Sequence, residues 1–434
     1  MKDIRIALLG CGTVGTGVIK LLLQNEDDIR ARLGASVTVR HVVVRDPSRL
    51  RDPEVDPALL CVDTEAALDD PDVDVVVELI GGTDTARALV LAAIARGKHV
   101  VTANKALLAA HGDEVFAAAE RAGVDVAFEA AVAGGIPIIR SLREGLASDR
   151  VERLYGIING TSNFLLSEMA GRGREYADVL AEAQRLGYAE SDPSMDVDGK
   201  DAAQKLSILI ALAFGASIPW ESIPTEGLSR LTPADFAFAR RFGYAIRPLA
   251  IAKVDDAGLE ARVHPALVPE RHLLAAIDGV FNAVAVQTSA VGPLLFHGRG
   301  AGMMPTAVSV VSDIIEVGRA VLQGTSGRVP HLAWRHPDRA PRRKPFEDVV
   351  CESYLRFTVV DRPGVLATLA GALGEHGVSI RQLIQPDAQE GEPVAVVVLT
   401  HPAREGDVVA ALATIDAQHT TASPTLRLRI EDPA

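Results

Sequence analysis

The sequence predicts an α/β protein with a doubly wound parallel sheet, then an α+β domain, then a ferredoxin-like βαββαβ unit. Short apolar strands alternate with alanine-rich helical segments from residue 4 to about residue 128, which is typical of βαβ units. Between residues 134 and 302, helical segments are followed by mixed strands. After residue 351 the order is strand, helix, strand, strand, helix, strand, which defines the third unit.

The first domain is predicted to span residues 1–133. Near-continuous apolar runs are typical of parallel strands that are covered on both faces, and this region has five of them: IRIALLG, VTVRHVVV, VDVVVELI, KHVVTA and VDVAFEA. A long amphipathic segment at 305–325 is expected to return and pack on this domain as a helix.

The rest of the chain divides into two further domains and a connection. Residues 134–304 form the predicted α+β domain, with helices expected at 161–172, 176–186 and 201–214, before the strands AIRPLAIAKV and FNAVAVQT. Residues 326–350 are rich in proline and charge without periodicity, so we interpret them as a linker. Residues 351–434 form the third domain.

Composition excludes several classes of partner. The formal net charge of -13 and the pI of about 5.4 argue against nucleic acid, which requires a basic face. No apolar run approaches the roughly 18 residues of a membrane helix, so we expect a cytoplasmic protein without a membrane partner. Cys11, Cys61 and Cys351 have no metal-ligand spacing, and we interpret them as reduced thiols.

A glycine-rich turn follows the first strand. The run GCGTVG contains Gly10, Gly12, Thr13, Val14 and Gly15 and has GxGxxG spacing between a strand and a helix. Such glycines permit a tight turn and let backbone N–H groups approach a pyrophosphate at the helix N-terminus. The sequence therefore predicts a dinucleotide site here.

The end of the second predicted strand bears on the choice of dinucleotide. An acidic residue at this place accepts from a free ribose 2′-hydroxyl, whereas an arginine favours a 2′-phosphate. Arg45 precedes Asp46. We expect NADP, with NAD as the alternative through Asp46.

Two more strand ends carry small or polar residues. Gly81, Gly82 and Thr83 follow one strand, and Asn104 and Lys105 follow the next. Ligands of doubly wound sheets bind beyond the carboxyl ends of the strands, so these residues are expected to line one crevice. Lys105 would then face the reactive end of the cofactor.

Charge is concentrated in the stretch GYAESDPSMDVDGKDAAQKL. Asp201 and Lys205 are four residues apart and share one helix face, where an apolar stripe begins. A lysine can stabilise and protonate an alkoxide formed by hydride delivery, and Asp201 would orient it. Carboxylates such as Glu190 and Asp196 favour a ligand with an ammonium group, although a solvated acidic loop would look the same.

A polar turn in IINGTSNFLL begins with Gly160 and Thr161 and precedes a predicted helix. Backbone N–H groups at a helix start suit a substrate carboxylate. A carboxylate site beside an ammonium site indicates a substrate that resembles an amino acid.

The chain resembles homoserine dehydrogenases that carry a C-terminal ACT domain. The matching motifs occur in the family's order and cover residues 1 to about 325: GCGTVG, TANK, EAAVAGGIP, GIINGTSN, GYAESDPSMDVDGKDAAQKL and GRGAGMMPTA. The run from DRPGVLATLA to VSIRQLIQ resembles the ACT signature.

The resemblance implies an oxidoreductase that acts on a CH–OH group. Its reaction would be the reversible NAD(P)H-dependent reduction of L-aspartate 4-semialdehyde to L-homoserine, in threonine, methionine and isoleucine biosynthesis. Carried over by position, Lys105 and Lys205 are the catalytic lysines and Asp201 is the partner of Lys205. Glu190 and Asp196 would bind the substrate ammonium or hydroxyl.

The resemblance also implies further ligands and a homodimer or homotetramer. Gly160 and Thr161 would hold the substrate through backbone groups, and Gly302 would lie near the cofactor. A monovalent cation, Na⁺ or K⁺, would bind around Glu129, Val132 and Gly134. Gly364 and Val365 would contact an amino-acid effector of the ACT domain, which we expect to be L-threonine.

Two other functions compete with this one. Aspartate-semialdehyde dehydrogenase needs a cysteine nucleophile. Cys11 lies in the phosphate turn, and we place Cys61 in a loop and Cys351 in the linker, so none fits. A non-catalytic amino-acid sensor would have lost the lysines, and Lys105 and Lys205 are both present.

Overall fold

The structure is a computed structural model that describes residues 3–335, 340–386, 393–418 and 421–433. Residues 1–2 of the predicted first domain, 336–339 of the predicted linker, and 387–392, 419–420 and 434 of the predicted third domain therefore lie outside the described residues. The helices within the described ranges are all too short or too polar to span a bilayer.

The first part of the chain forms a six-stranded parallel sheet, which confirms the predicted α/β class. Its strands are β1 (Ile4–Leu9), β2 (Val37–Val43), β3 (Leu60–Cys61), β4 (Val75–Glu78), β5 (His99–Thr102) and β6 (Val126–Ala127). They lie in the order β3-β2-β1-β4-β5-β6, with every pair parallel. Its helices are α1 (Thr13–Gln24), α2 (Glu26–Leu33), α3 (Thr64–Asp69), α4 (Asp84–Ala95) and α5 (Lys105–Ala122).

All five predicted strands of this sheet are present. The expectation that Cys61 lies in a loop is wrong, because it belongs to the short edge strand β3. The chain reverses its order at β1, which pairs with both β2 and β4. Ligands of such sheets bind at this reversal, beyond the carboxyl ends of the strands.

The middle of the chain combines helices with long antiparallel strands. Its helices are α6 (Ile138–Arg140), α7 (Gly160–Arg172), α8 (Tyr176–Arg185), α9 (Ser194–Val197), α10 (Lys200–Phe214), α11 (Pro233–Arg241) and α12 (Met303–Gln323). Its strands are β7 (Val151–Ile157), β8 (Tyr244–Asp255), β9 (Gly258–Pro269), β10 (Phe281–Thr288) and β11 (Pro293–Arg299). The expectation that helices come first is wrong, because β7 precedes α7.

Helix α12 returns to the first domain, as the amphipathic pattern predicts. It packs on α1 at Gly17, where an added Cβ would lie 2.8 Å from Cγ of Met303. A glycine at this crossing therefore lets the two helix backbones approach closely. Ala307, Val310 and Ile314 of α12 are fully buried and join the core under β1 and β4.

The third part of the chain has the predicted βαββαβ order. Its elements are β12 (Val350–Val360), α13 (Val365–Glu375), β13 (Ile380–Ile384), β14 (Pro393–Thr400), the short β15 (Ala403–Arg404), α14 (Glu405–Ala417) and β16 (Thr421–Ile430). Cys351 lies in β12 and is buried, so its placement in the linker is wrong.

One sheet runs through the second and third parts of the chain. Its order is β11-β10-β7-β8-β9-β16-β12-β14-β13, with β15 paired to β12. The junction is β16 against β9, where Arg429 pairs with Ala266 and Ile430 with Leu267 in parallel. The third domain is therefore an extension of the second domain's sheet.

The predicted linker packs against the second domain over its described residues. The indole N–H of Trp334 donates to the Leu212 carbonyl at 2.9 Å, and the ring covers Gly215. The carbonyl of Arg342 and the N–H of Lys344 bond the backbone of Leu259 at 2.8 and 2.9 Å. These contacts fasten the segment on both sides of 336–339.

Candidate active site

The glycine-rich turn connects β1 to α1 in a conformation that depends on glycine. Gly10 has a φ of +96°, and a Cβ there would lie 2.8 Å from the Leu79 carbonyl oxygen. A Cβ at Gly15 would lie 2.5 Å from the Gly10 carbonyl oxygen. Gly12, in contrast, faces open space. Thr13 and Val14 then form the first turn of α1, so a pyrophosphate can approach the helix N-terminus.

A cavity of about 740 Å³ opens beside this turn. It is lined by Gly10, Gly12, Arg45 and Gly81, which the sequence predicts, and by Arg49 and Arg51, which it does not. Arg51 donates to the carbonyls of Asp46 and Arg49 at 2.8 and 2.9 Å. Asp46 accepts from the hydroxyl and the N–H of Ser48, and these bonds lower the pKa of its carboxyl.

The strand ends next to the cavity are fixed by Glu78, a fully buried carboxylate at the end of β4. It accepts from the N–H groups of Ile80 and Gly81 at 2.9 and 3.1 Å and from the Thr102 hydroxyl at 2.6 Å. Asn104 donates to the Gly82 carbonyl at 2.7 Å. Thr83 occupies the N-cap position of α4. The hydrogen bonds of Glu78 and Asn104 therefore join the two predicted strand ends along one edge of the crevice.

Lys105, Asp201 and Lys205 meet where the first domain faces α10. Asn104 caps α5 and thereby sets Lys105 as its first residue. The Lys105 Nζ lies 3.2 Å from Oδ1 of Asp201, and the Lys205 Nζ lies 2.7 Å from Oδ2. Lys205 also donates to the Ile158 carbonyl at 2.7 Å. One aspartate therefore bridges two lysines that come from separate domains.

Asp201 is ionised despite its burial. Burial alone raises the pKa of a carboxyl group, but Lys205 and Lys105 outweigh this effect and lower the pKa of Asp201 to about 2. The carboxylate therefore holds two ammonium groups side by side, and they would otherwise repel each other.

Asn159 joins Asp196 to this cluster. Its side-chain N–H groups donate to Asp196 at 2.7 Å and to Asp201 at 2.8 Å. Burial raises the pKa of Asp196, and the nearby Asp201 charge adds to the rise. The α9 helix that carries Asp196 is bonded to α7, because the Ser162 hydroxyl donates to the Asp196 carbonyl at 2.9 Å.

The other predicted substrate residues lie around the start of α7. Gly160 is its first residue, and a Cβ there would lie 2.9 Å from the Val280 carbonyl oxygen. The Thr161 hydroxyl donates to the Tyr188 carbonyl at 2.7 Å. Glu190 is exposed in the loop between α8 and α9, where its backbone carbonyl accepts from Gln184. Glu190 therefore lies in the loop that leads into α9, the helix that carries Asp196.

The predicted cation loop packs against the loop that contains Gly302. Glu129 is buried and its two carboxylate oxygens accept from the N–H groups of Ile139 and Arg140 at 2.8 and 2.9 Å. The Gly134 carbonyl accepts from Ser309 at 2.7 Å, and a Cβ at Gly134 would lie 2.3 Å from the Gly300 carbonyl oxygen. Val132, in the same loop, is fully buried.

Gly302 caps α12 with a φ of +121°. It follows Gly300, whose backbone touches the cation loop, so the start of α12 is fixed relative to residues 129–134. This connects the predicted cation loop with the predicted cofactor loop.

A separate cavity of about 350 Å³ lies in the third domain. It is lined by Gly364 and Val365 at the start of α13 and by Asp361, Arg362 and Gln385. Gly364 has a φ of +91°, and Val365 is buried. A carboxylate, a guanidinium and an amide around a helix start could bind a small zwitterion.

Sequence reasoning missed four residues with clear roles in this geometry: Glu78, Asn159, Arg49 and Arg51. Glu78 is the single charged residue that ends a run of three valines, and Asn159 precedes the predicted Gly160 turn. Both residues could therefore have been identified from their neighbours in the sequence. The arginines could not, because a folded loop after β2 brings them back to the cavity.

The fold and the site define an oxidoreductase. A glycine-rich turn and cavity at the reversal of a parallel sheet suit a dinucleotide. Two lysines around one buried aspartate, at the start of α5 and on α10, suit a reaction in which negative charge develops on oxygen.

Comparison with known proteins identifies the family. Residues 10–129 match the NAD binding domain of homoserine dehydrogenase, residues 137–315 match homoserine dehydrogenase, and residues 353–417 match the ACT domain. The chain belongs to the homoserine dehydrogenase family and carries an ACT domain.

Individual relatives match this chain over nearly its whole length. A homoserine dehydrogenase from Pseudomonas aeruginosa is 47% identical over 99% of both chains. The crystal structure of a homoserine dehydrogenase from Thiobacillus denitrificans is 48% identical, covers 100% of this chain and 99% of its own, and has a TM-score of 0.92. A structure of the S. aureus enzyme is 30% identical, covers 99% of both chains, and has a TM-score of 0.77.

Proposed function

We propose that the protein catalyses the reversible NAD(P)H-dependent reduction of L-aspartate 4-semialdehyde to L-homoserine, in the biosynthesis of threonine, methionine and isoleucine. The observation that carries this proposal is the bridge from Lys105 through Asp201 to Lys205. It sets two ammonium groups at the crevice between the dinucleotide turn and the α7 helix start. Turnover of L-homoserine, followed by the absorbance of the reduced nicotinamide, tests it.

The lysines act on the oxygen that gains charge. The nicotinamide, when bound, supplies the hydride. Two of the three N–H groups of Lys205 have partners among the described residues, Asp201 and the Ile158 carbonyl, which leaves one for the substrate oxygen. It stabilises the alkoxide as it forms and donates the proton, and Lys105 adds a second positive charge.

The remaining charges suit the amino-acid end of the substrate. Asp196 and Glu190 would pair with its ammonium group, and the backbone N–H groups of Gly160 and Thr161 would bind its carboxylate. The thirteen-residue helix α7 begins at Gly160 and adds the favourable end of its dipole. This arrangement would aim the aldehyde oxygen at the lysines.

NADP is the proposed cofactor, because three arginines line the cavity beside the glycine-rich turn. Arg45 is exposed, and Arg49 and Arg51 follow it. Asp46, the residue that would select NAD, already accepts two hydrogen bonds from Ser48. A 2′-phosphate would therefore meet several positive charges and one carboxylate that already accepts two hydrogen bonds.

Replacing Arg45 tests the cofactor preference. We expect Arg45→Ala to raise the KM for NADP roughly 10-fold or more, because a hydrogen bond to a charged group contributes about 1.5–3 kcal/mol. The KM for NAD should change less than about twofold. Steady-state kinetics with both cofactors measures the difference.

Arg40→Ala is the matched control, since Arg40 lies on β2, the strand that Arg45 follows, and its guanidinium lies 3.7 Å from the Asp70 carboxylate. Equal changes with NADP and NAD in Arg45→Ala would contradict the assignment of a 2′-phosphate site.

A monovalent cation would fit the loop at 129–134. Among the described residues, no group of three or more His, Cys, Asp or Glu side chains could hold a metal ion. Buried Glu129 and Asp313 lie close together, and burial and the Glu129 charge raise the pKa of Asp313 to about 7. Backbone carbonyls are hard oxygen donors, and Val132 and Gly134 would supply them to Na⁺ or K⁺ beside Glu129.

L-Threonine is the proposed effector of the third domain. In the cavity of that domain Asp361 would pair with its ammonium group, and the N–H groups of Gly364 and Val365 would bind its carboxylate. Feedback from an end product of the pathway explains why a sensor is attached to this enzyme.

Asp361→Ala tests the effector site. We expect wild type to be inhibited by L-threonine and the variant to need at least about fivefold more for the same inhibition, with kcat unchanged. Asp407→Ala, at a side chain that is 43% exposed on helix α14 of the same domain, should behave as wild type. Inhibition that is unchanged in Asp361→Ala would contradict this site.

A homodimer or homotetramer completes the proposal. Strand β11 is an edge of the long sheet, and Leu294, Leu295 and Phe296 on it are only partly buried. A second copy could cover this edge. Sedimentation of the purified protein measures the number of copies.

A further inference from the structure

Residues 224–228 form a short segment that is bonded to the site on one side and to β9 on the other. The Glu226 N–H donates to the Val263 carbonyl of β9 at 2.9 Å, and Val263 donates back to Pro224 at 2.9 Å. On the other side, the Leu228 N–H donates to the Val197 carbonyl at 3.1 Å. Val197 is the residue after Asp196, so the segment supports the helix that carries this carboxylate.

The contact between the segment and α9 is tight. A Cβ at Gly227 would lie 3.2 Å from both the Val197 carbonyl oxygen and the Asp198 carboxylate. The backbone of Gly227 therefore packs directly against the end of α9. A displacement of residues 224–228 would be passed to Asp196 and, through Asn159, to Asp201.

The side chain of Glu226 connects this segment to the third domain. Its Oε1 accepts from Nη2 of Arg429 on β16 at 2.7 Å. Arg429 is 2% exposed and is itself fixed, because it donates to both oxygens of Glu405 at 2.6 and 3.0 Å. Glu405 begins α14 and also accepts from Arg427 at 2.7 and 2.9 Å.

We propose that Glu226 and Arg429 are positioning residues through which the third domain holds Asp196 in place for substrate binding. The chain of contacts runs from α14 and β16 through Arg429 and Glu226 to the segment, and then to α9. The inference rests on the proposed function, because that function assigns Asp196 to the substrate ammonium. It adds that the ACT domain is part of the support of the substrate site.

Glu226→Ala tests this role, and its side chain is 42% exposed, so the variant should fold. We expect the KM for L-homoserine to rise about fivefold or more, with kcat within about twofold of wild type. Glu226→Gln keeps an acceptor for Arg429, so its KM for L-homoserine should lie between those of wild type and Glu226→Ala.

Arg271→Gln is the matched control. Arg271 and Asp432 form another ion pair between the second and third domains, where their side chains are 71% and 45% exposed. Its loss should leave the KM for L-homoserine unchanged. If Arg271→Gln raises the KM as much as Glu226→Ala does, the effect comes from general loosening of the domains and the proposal is overturned.

Hydrogen exchange without substrate gives a second readout. Amides of residues 194–199 and of Leu228 should exchange faster in Glu226→Ala than in wild type or Arg271→Gln. Unchanged exchange, or faster exchange with an unchanged KM, overturns the proposal. If wild type does not turn over L-homoserine, the proposed function fails, while faster exchange confined to Glu226→Ala would still support the link to α9.

Discussion

Lys205→Ala is expected to lower kcat for L-homoserine oxidation by roughly 10²–10⁴-fold, the range for loss of a positioned proton-transfer group. Lys205 is 13% exposed, and its Nζ is fixed by Asp201 and by the Ile158 carbonyl. Water cannot replace an ammonium group held in this way. Steady-state kinetics with saturating NADP measures the loss, and circular dichroism checks that the variant is folded.

Lys200→Ala is the control on the same helix. Lys200 is 43% exposed, and its partner Asp198 lies 3.7 Å away at the surface. It should retain wild-type kcat within about twofold, because exposed ion pairs contribute little. If both variants lose activity equally, or if Lys205→Ala stays active, Lys205 is not the proton donor.

Asp201→Asn is expected to lower kcat by about 100-fold or more and to destabilise the fold. The amide has no charge to hold the ammonium groups of Lys105 and Lys205 together, and breaking a buried pair is strongly destabilising. Steady-state kinetics and urea unfolding at neutral pH measure the two effects. Asp198→Asn, a neighbouring exposed carboxylate, serves as the control.

The stability effect of Asp201→Asn should depend on pH in a defined direction. The folded pKa of about 2 lies below the ordinary value of 3.8, so the carboxylate contributes stability above pH 3.8. This contribution, on the order of 2 kcal/mol, is lost as the pH falls from about 4 to about 2. The wild type and the variant should therefore converge in unfolding free energy at acidic pH, and a constant gap would contradict the pairing.

Local patterns predicted the first domain and the pairing of Asp201 with Lys205. Apolar runs between alanine-rich helices gave the parallel sheet, and the strand-end rule placed Gly81 and Asn104 together. Helical spacing alone placed Asp201 beside Lys205. The contact between Lys105 and Asp201 has no local signal, because it joins two domains, and the family resemblance implied only that both residues belong to the catalytic site.

The misses have physical causes. Strand β7 was missed because Glu152 and Arg153 interrupt its apolar pattern, and β3 because it has two residues. Arg49 and Arg51 reach the cavity through a loop conformation that residue types do not specify. The pairing of β16 with β9 follows from how two domains dock, and neither strand carries a pattern that names its neighbour.

The union of β16 with β9 also has a consequence for how the chain folds during synthesis. Strand β9 is translated long before β16, so its edge at Ala266 and Leu267 carries unpaired N–H and C=O groups while the third domain is still being made. Contacts between distant parts of a chain form slowly, and open strand edges invite pairing with other chains. Strand β16, which is translated after β12 to β14, is therefore the one that closes the middle of the sheet.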